Sequence, residues 1–271
     1  MSDILMELTE RRRMDAVARE RELPFETLIR RAETAPAPRD FAAAINQPTP
    51  NAPTAPRVIA ELKRASPSEG MIREIFHPVA LARELASSGA AALSVLCEPH
   101  RFLGSETFLT AVREEVEIPI LYKDFLSTRY QIAAARAAGA DAVLLIAAVL
   151  DDTSLKDLLA FTHRLGMAAL VETHDEREIG RAVQAEARII GVNCRNLRDF
   201  STDVSLLETL MEQIPRPSLR VAESGMHTGD ALRRAGRAGA DAFLVGTALM
   251  RAEYPGEKLN QLRSAASDTD R

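Results

Sequence analysis

One seven-residue pattern occurs three times in the chain, each time between an Ala-rich amphipathic segment and an apolar run. The copies are Ser88-Gly-Ala-Ala-Ala-Leu-Ser94, Ala138-Gly-Ala-Asp-Ala-Val-Leu144 and Ala238-Gly-Ala-Asp-Ala-Phe-Leu244. Glycine ends helices readily because it adopts the left-handed conformation without strain, and the apolar run after it is typical of a buried strand. The repeated junction therefore indicates a chain built from repeated strand–helix units.

From Val58 onward, apolar runs alternate with amphipathic segments. Eight strands are predicted, near residues 58–63, 91–97, 118–123, 141–147, 168–172, 188–193, 219–223 and 242–246. Helices with charged outer faces are predicted between them, for example over 78–88, 128–138, 154–165 and 175–184. Such alternation forms parallel sheets through right-handed crossovers, and eight units can close into a (β/α)8 TIM barrel, an α/β fold. An open doubly wound sheet is less favoured, because no Gly-x-Gly-x-x-Gly motif follows the first strand.

The segment before the first strand has a different composition. Residues 1–33 carry apolar side chains at helical spacing and predict one or two amphipathic helices. Residues 34–56 are rich in Pro and Ala and predict an extended connection, interrupted around Phe41 to Ile45. We therefore expect an N-terminal helical extension with its connection (1–57) and a barrel (58–267) within a single domain. From its place before the first strand, the extension is expected to cover the barrel mouth.

Composition argues against several classes of protein. The net charge of the 271 residues is −5, and acidic and basic residues are mixed along the chain, which does not suggest nucleic-acid binding. The longest apolar run, 142–150, is too short to cross a bilayer. The N-terminus is charged from Asp3 onward, unlike a signal peptide. We therefore expect a protein that binds neither nucleic acid nor membrane. With only two cysteines, a reduced cytoplasmic setting is the default expectation, and a monomer or a weak homo-oligomer is expected without a sequence feature that decides between them.

Cysteine and histidine give no indication of a metal site. Cys97 and Cys194 form no disulfide framework and are interpreted as buried, unreactive thiols. The histidines are scattered without metal-binding spacing. His100 and His174 could approach the barrel mouth, but they are interpreted as ordinary polar loop residues. No metal is expected.

Polar side chains end six of the eight predicted strands. In a (β/α)8 barrel the C-terminal strand ends surround the active site, so these side chains should face one another. They are Glu61, Lys63, Glu98, Lys123, Glu172, Asn193, Arg195 and Glu223. A ring of salt bridges that only closes the barrel mouth could account for any one of them, but it accounts less well for the whole set.

Lysine is scarce in this chain. Only four of the 34 basic residues are lysine, and two of these, Lys63 and Lys123, end predicted strands. Burial or a nearby cation can lower the pKa of a lysine amine, whereas arginine keeps its charge. Because strand residues two apart share a face, Glu61 and Lys63 should project side by side. These three residues are candidate acid–base groups.

The last two strands end in short turns that contain glycine. Oriented backbone N–H groups in such turns bind phosphate, and barrels often hold phosphate after strands seven and eight. The candidate phosphate-binding residues are Ser224, Gly225, Gly246 and Thr247. The sequence thus predicts a small phosphorylated substrate.

Seven stretches between residues 58 and 251 resemble the indole-3-glycerol-phosphate synthase family of tryptophan biosynthesis. They are Ile59-Ala-Glu-Leu-Lys-Arg-Ala-Ser-Pro-Ser68; Ser94-Val-Leu-Cys-Glu-Pro99 with Arg101-Phe-Leu-Gly-Ser105; Ile120-Leu-Tyr-Lys-Asp-Phe125; Val171-Glu-Thr-His174; Gly191-Val-Asn-Cys-Arg-Asn-Leu197; Val221-Ala-Glu-Ser-Gly225; and Val245-Gly-Thr-Ala-Leu-Met250. The resemblance implies a carbon–carbon lyase that uses neither cofactor nor metal. Ring closure, decarboxylation and dehydration of 1-(2-carboxyphenylamino)-1-deoxyribulose 5-phosphate would give indole-3-glycerol phosphate, CO₂ and water.

The resemblance also implies roles for individual residues. Lys123 would be the general acid of ring closure, and Glu61 and Lys63 would be acid–base partners in dehydration. Glu172 and Asn193 would lie around the reacting atoms. The implied substrate-binding residues, Lys63 aside, are Ser66, Phe102, Phe125, Leu144, Arg195 and Glu223. The sequence does not settle how Lys63 and Lys123 divide the proton transfers, and it leaves open a contact with another enzyme of the pathway.

Two other functions are compatible with a phosphosugar barrel. A Schiff-base aldolase would use Lys63 or Lys123 as its nucleophile. A barrel retained only as a binding partner would not need an intact set of acid–base groups, so the set argues against that alternative. The turn from Ala65 to Gly70 is predicted to be a mobile loop over the substrate.

Overall fold

The computed structural model describes residues 3–46, 55–195 and 204–267. Residues 47–54 of the predicted Pro-rich connection lie outside the described residues, as do Asn196 and Leu197 of one family motif.

Eight parallel strands close into a barrel, so the predicted fold is confirmed and the open doubly wound sheet is excluded. The described strands are β1 (Arg57–Leu62), β2 (Ala65–Ser66), β3 (Gly70–Met71), β4 (Ala92–Leu96), β5 (Ile120–Lys123), β6 (Ala142–Ile146), β7 (Ala168–Thr173), β8 (Ile189–Asn193), β9 (Leu219–Glu223) and β10 (Ala242–Val245). β1 and β4 to β10 pair in sequence order, and β10 pairs with β1. Each predicted strand is present with bounds within two residues. β2 and β3 form a separate antiparallel hairpin where a turn was predicted.

Helices follow the barrel strands and precede the first one. The described helices are α1 (Asp3–Glu22), α2 (Phe25–Thr34), α3 (Phe41–Asn46), α4 (Pro78–Ser87), α5 (Glu106–Arg113), α6 (Arg129–Ala137), α7 (Asp152–Arg164), α8 (Glu176–Gln184), α9 (Leu206–Leu210), α10 (Gly229–Arg237), α11 (Thr247–Met250) and α12 (Pro255–Ser267). α3 is the predicted interruption of the Pro-rich connection.

The repeated junction has a structural cause beyond its glycine. Gly139 and Gly239 end their helices at φ values of 96° and 98°. The aspartate two residues later accepts a backbone hydrogen bond from the preceding strand: Asp141 from Ile120 at 2.8 Å, and Asp241 from Arg220 at 2.8 Å. Each aspartate therefore fixes the start of one strand against its neighbour.

The barrel interior is apolar at the end where the strands begin. Ile59, Leu121 and Ile189 pack there with Phe41 and Ile45 of α3, both of which are buried. The segment before α3 is held by Arg39, whose backbone N–H donates to Asp141 at 2.6 Å. α3 therefore closes this end of the barrel, leaving the C-terminal strand ends as the open mouth.

The N-terminal helices occupy two places. α2 packs on the barrel flank, where Phe25 lies 6.5 Å from Tyr130 and 6.2 Å from Phe161 between ring centroids. α1 lies across the barrel mouth, and its Leu5 packs with the interior side chains of the barrel. The expectation that the extension covers the mouth is confirmed for α1, but α2 lies elsewhere.

Candidate active site

One lysine and three carboxylates meet at the barrel mouth. The Nζ atom of Lys123, at the end of β5, lies 3.5 Å from Glu61 Oε2, 3.8 Å from Glu172 Oε2 and 3.5 Å from Glu223 Oε2. These carboxylates come from β1, β7 and β9, which the barrel brings together although they are far apart in sequence. The three side chains are almost fully buried. The predicted ring of strand-end side chains therefore converges on Lys123.

Glu61 is held by two lysines. Lys63 Nζ lies 2.8 Å from Oε1, which confirms that the two side chains project together. Ser94 donates a hydrogen bond to Oε2 at 3.4 Å. Burial raises the pKa of Glu61, but attraction to Lys63 and Lys123 outweighs it and lowers that pKa to about 2. Glu61 is therefore a carboxylate throughout the physiological range and can accept a proton only from an activated group.

Glu223 has the opposite electrostatic environment. Burial and the neighbouring Glu172 raise its pKa to about 8, although Lys123 acts in the other direction. Within the described residues neither of its carboxyl oxygens makes a hydrogen bond. One of these oxygens lies 3.5 Å from Lys123 Nζ, and the side chain lines the cavity, where it can bind substrate hydroxyl groups.

The protonation of Lys123 differs from the sequence-based expectation. Burial alone would lower its pKa, as expected for a buried lysine. The attraction of Glu61, Glu223 and Glu172 is stronger, however, and raises the pKa of Lys123 above its usual value. The amine is consequently a stable ammonium group that can donate a proton but is a poor nucleophile.

The turn after β9 has a strained backbone. Ser224 and Gly225 adopt φ values of 62° and 73°, and this left-handed region is costly for serine. Such strain concentrates at functional sites. Both residues line the cavity together with Gly246 and Thr247. The four candidate phosphate-binding residues therefore lie at one edge of the site.

The opposite wall of the cavity is apolar. Phe102 and Phe125 are 6.1 Å apart between ring centroids, and Leu144 lies nearby in the lining. Ile4, Leu5 and Leu8 of α1 complete this wall. The sequence did not single out these three residues, because apolar positions on an amphipathic helix do not indicate which surface the helix covers.

The loop after β1 contacts the end of β8. Ser66 lines the cavity, and Ser68 accepts a hydrogen bond from the guanidinium group of Arg195. The backbone N–H of Arg195 also donates to Asn193 Oδ1 at 3.0 Å. Arg195 therefore connects β8 to the loop over the cavity. The mobility of this loop stays a prediction.

Glu98 is the strand-end residue that does not face the cavity. It is completely buried, and its carboxylate accepts backbone hydrogen bonds from His100, Arg101 and Phe102 at 2.7, 2.7 and 2.8 Å. The sequence-based expectation for Glu98 was therefore wrong. Its carboxylate shapes the loop that presents Phe102.

The predictions for the histidines and cysteines have mixed outcomes. His100 hydrogen-bonds to Asp15 of α1 at 2.7 Å. His174 is not an ordinary loop residue, because its ring lies 3.5 Å from Glu172. Cys97 and Cys194 are both buried, as predicted, and burial raises the pKa of the Cys97 thiol. Over the described ranges, no group of His, Cys, Asp and Glu side chains is arranged to hold a metal.

Comparisons with known proteins identify the family. A sequence model of indole-3-glycerol phosphate synthase matches residues 5–262. The chain belongs to the indole-3-glycerol phosphate synthase family. The synthase of Micrococcus luteus is 47% identical over 263 residues, covering 97% of this chain and 98% of that protein. The synthase of Albidiferax ferrireducens is 44% identical over 266 residues, covering 98% of this chain and all of its own length.

Solved structures with low sequence identity show the same fold. 3-Hexulose-6-phosphate synthase from Salmonella typhimurium superposes with a TM-score of 0.63 at 14% identity, covering 77% of this chain and 97% of that one. Orotidine 5'-phosphate decarboxylase from Pyrococcus horikoshii gives a TM-score of 0.60 at 16% identity, covering 78% of this chain and 100% of that one.

Family membership gives the class of reaction. The chain is a decarboxylating lyase of tryptophan biosynthesis that acts on a small phosphosugar. No helix among the described residues is long and apolar enough to cross a membrane.

Proposed function

We propose that Lys123 is the general acid that starts the reaction of this family at the mouth of the barrel. That reaction converts 1-(2-carboxyphenylamino)-1-deoxyribulose 5-phosphate into indole-3-glycerol phosphate, CO₂ and water. The observation that carries the proposal is the position of Lys123 Nζ, 3.5 to 3.8 Å from three buried carboxylates. These carboxylates keep the amine protonated, as an acid must be before it acts.

The two walls of the cavity give the substrate one orientation. Its phosphate binds at Ser224, Gly225, Gly246 and Thr247, where backbone N–H groups and hydroxyls are available. Its aromatic ring packs against Phe102, Phe125 and Leu144. The substrate carboxylate meets Arg195, Lys63 and Ser66, and the sugar hydroxyls meet Glu223. The ketone between these two ends then lies near Lys123.

Ring closure requires a proton at the ketone oxygen. As the aromatic carbon that carries the carboxylate attacks the ketone carbon, the C=O bond opens and its oxygen takes a proton from Lys123. The C–CO₂ bond then breaks, and its electron pair restores the aromatic ring as CO₂ leaves. Asn193, beside the reacting atoms, positions the intermediate.

Dehydration requires a base and an acid at the same centre. Glu61, whose pKa is lowered to about 2, removes a proton from the new ring. Lys63, 2.8 Å from Glu61, gives a proton to the departing hydroxyl group, which leaves as water. Glu61 and Lys63 then exchange a proton directly. This division assigns Lys123 to ring closure and Lys63 to dehydration.

Direct formation of product tests the proposal. The chain contains no tryptophan, so indole fluorescence that appears on mixing with the substrate comes from product. A folded protein that gives no signal over the whole accessible pH range would refute the proposed function. Borohydride added during turnover should trap no imine, since Lys123 stays protonated; a covalent adduct at Lys63 or Lys123 would indicate an aldolase instead.

We also propose that residues 1–57 and the barrel (58–267) work as one domain. Both ends of the barrel depend on the N-terminal segment, because α3 fills the end where the strands begin and α1 lines the cavity at the mouth. Removal of α1 and α2 should therefore weaken substrate binding. Unchanged affinity after such a deletion would count against this assignment.

A further inference from the structure

Each turnover must bring one proton into the site. The substrate carboxylate is an anion at neutral pH, and it leaves as neutral CO₂. Ring closure adds a proton to the ketone oxygen, dehydration adds one to the leaving hydroxyl, and the new ring loses one. The sum is one proton taken from solvent per turnover. Lys123, having given its proton to the ketone, must recover one although it lies among buried side chains.

A chain of side chains leads from Lys123 away from the substrate cavity. Glu172 Oε2 lies 3.8 Å from Lys123 Nζ, and the other oxygen, Oε1, lies 3.5 Å from His174 Nε2. The opposite ring atom, His174 Nδ1, lies 3.1 Å from Glu178 Oε2. Each oxygen of Glu172 therefore faces a different proton-carrying group.

The hydrogen bonds fix which nitrogen of His174 always carries a proton. Glu178 Oε2 also accepts the backbone N–H of His174 at 2.8 Å, and the start of α8 holds Glu178 in place because Asp175 caps the helix at the Glu178 N–H. A carboxylate can only accept, so His174 Nδ1 is the donor. The remaining nitrogen, Nε2, is buried and has no hydrogen-bond partner among the described residues.

That arrangement places one mobile proton between His174 and Glu172. Either His174 is an imidazolium ion facing a carboxylate, or it is neutral and faces a protonated Glu172. Without this proton, an imidazole lone pair would face a carboxylate oxygen inside the protein, which is unfavourable. A proton held on this pair is close to Lys123 but is shielded from the substrate.

We propose that His174 is a positioning residue that holds a proton for Lys123 and returns it through Glu172. This inference rests on the proposed role of Lys123 as general acid. His174 Nε2 first gives its proton to Glu172 Oε1. A half-turn of the carboxyl group brings that proton to the Lys123 side, where neutral Lys123 takes it. The imidazole ring then rotates so that Nε2 reaches solvent in the adjoining cavity that His174 lines, takes up a proton there and rotates back.

The charged groups around His174 favour its protonated form. Burial lowers the pKa of His174, but Glu178, Glu172 and Glu223 outweigh burial and raise it. The other charged residues that line the adjoining cavity with His174 are Asp151, Asp152, Asp175, Arg177, Arg181 and Arg195. Of these, Arg181 is paired with Asp152, and Arg195 with Glu69. The imidazole should therefore lose its charge only at a pH above its ordinary range, and kcat should fall as the pH rises through that value.

The pH dependence of kcat under saturating substrate tests the proposal. His174→Gln keeps a polar side chain but cannot titrate, so kcat should fall roughly 10²-fold, KM should change little, and the alkaline fall in kcat should disappear. Glu178→Gln keeps an acceptor for Nδ1 but removes a charge, so the alkaline fall should move to lower pH by about one unit. His77→Gln, at the exposed N-cap position of α4, is the control and should leave the profile unchanged.

Chemical rescue separates a proton-transfer role from a packing role. Imidazole should restore part of the activity of His174→Ala, whereas pyrazole, which has a similar shape but stays neutral, should not. A His174→Gln enzyme with the wild-type kcat profile would overturn the proposal, as would equal rescue by the two compounds. If substitution at position 174 prevents folding, Glu178→Gln still tests the proposal. In that variant, an alkaline fall in kcat at the same pH as in the wild type would overturn the proposal. Absence of turnover in the wild-type enzyme would instead refute the proposed function.

Discussion

Gly246 leaves the space that the carboxylate of Glu61 occupies. A β carbon built on Gly246 would lie 2.4 Å from Glu61 Oε1, the oxygen that binds Lys63. Glu61 is the penultimate residue of β1, and Gly246 directly follows β10, which pairs with β1. The sequence suggested that this glycine allows a phosphate to approach, but the geometry gives it an additional role within the acid–base cluster.

Gly246→Ala should therefore damage catalysis more than folding. The added methyl group would push Glu61 away from Lys63 and Lys123, so kcat should fall about 10²-fold. Overpacking of this kind costs about 1–3 kcal/mol of stability. Steady-state kinetics and urea unfolding would measure the two effects.

Gly180→Ala provides the matched control for that substitution. Gly180 lies in α8, and nothing lies within 4 Å of a β carbon built on it. Alanine favours a helix over glycine by about 1 kcal/mol, so this variant should be at least as stable as the wild type and fully active. Equal kcat values for the two variants would contradict the proposed role of Gly246.

Glu223→Gln should change how stability depends on pH. The folded-state pKa of Glu223 is raised to about 8, above its ordinary value, so the folded protein holds a proton that the unfolded chain releases. The wild type therefore loses stability as the pH rises from the unfolded pKa, about 4.3, to the folded pKa, and each unit of difference is worth about 1.4 kcal/mol. Glutamine has no such proton, so the variant should lose less stability over that interval.

Urea unfolding at several pH values from about 5 to about 9 would measure this difference. Glu212→Gln, at an exposed position, is the control and should follow the wild-type curve. Parallel curves for Glu223→Gln and the wild type would show that Glu223 is ionised in the folded protein at neutral pH.

The succession of strands and helices, and the contacts within one strand, were predictable from the sequence. Contacts between strands that are distant in sequence were not. The spacing of Glu61 and Lys63 predicts their shared face because strand geometry alone decides it. The pKa direction of Lys123 was not predictable, since it depends on three carboxylates from three other strands. Asp141 belongs to a visible repeat, but its hydrogen bond to the preceding strand appears only once the strands are paired.

Lys123→Met should abolish turnover while leaving substrate binding largely intact. Methionine matches the length of lysine but supplies no proton, so kcat should fall by at least about 10²-fold. Neither the predicted phosphate site nor the aromatic wall of the cavity includes Lys123. Single-turnover kinetics and a binding titration would separate the two quantities. Lys156→Met, on the exposed face of α7, should behave as the wild type, and undiminished turnover in Lys123→Met would remove Lys123 from the mechanism.

Arg12 of α1 holds the residue that follows Lys123. Its guanidinium group donates to both carboxylate oxygens of Asp124, at 3.0 Å from Nε to Oδ1 and 2.7 Å from Nη2 to Oδ2. The side chain of Asp124 is completely buried. Burial raises the pKa of Asp124, and Arg12 opposes that rise. The contact therefore neutralises a buried charge and also fixes α1 over the cavity.

Arg12→Met should destabilise the protein by about 3–5 kcal/mol, because it leaves Asp124 buried without its counter-ion. KM should rise as well, since α1 supplies the apolar wall against the substrate ring. The double variant Arg12→Met with Asp124→Asn removes both charges and should recover much of the stability but not the KM. Arg13→Met is the control, because Arg13 pairs only with the neighbouring exposed Glu10 among the described residues and should change neither quantity appreciably. Chemical unfolding and steady-state kinetics would measure these effects, and a double variant no more stable than Arg12→Met would show that lost packing, rather than the buried charge, is the cause.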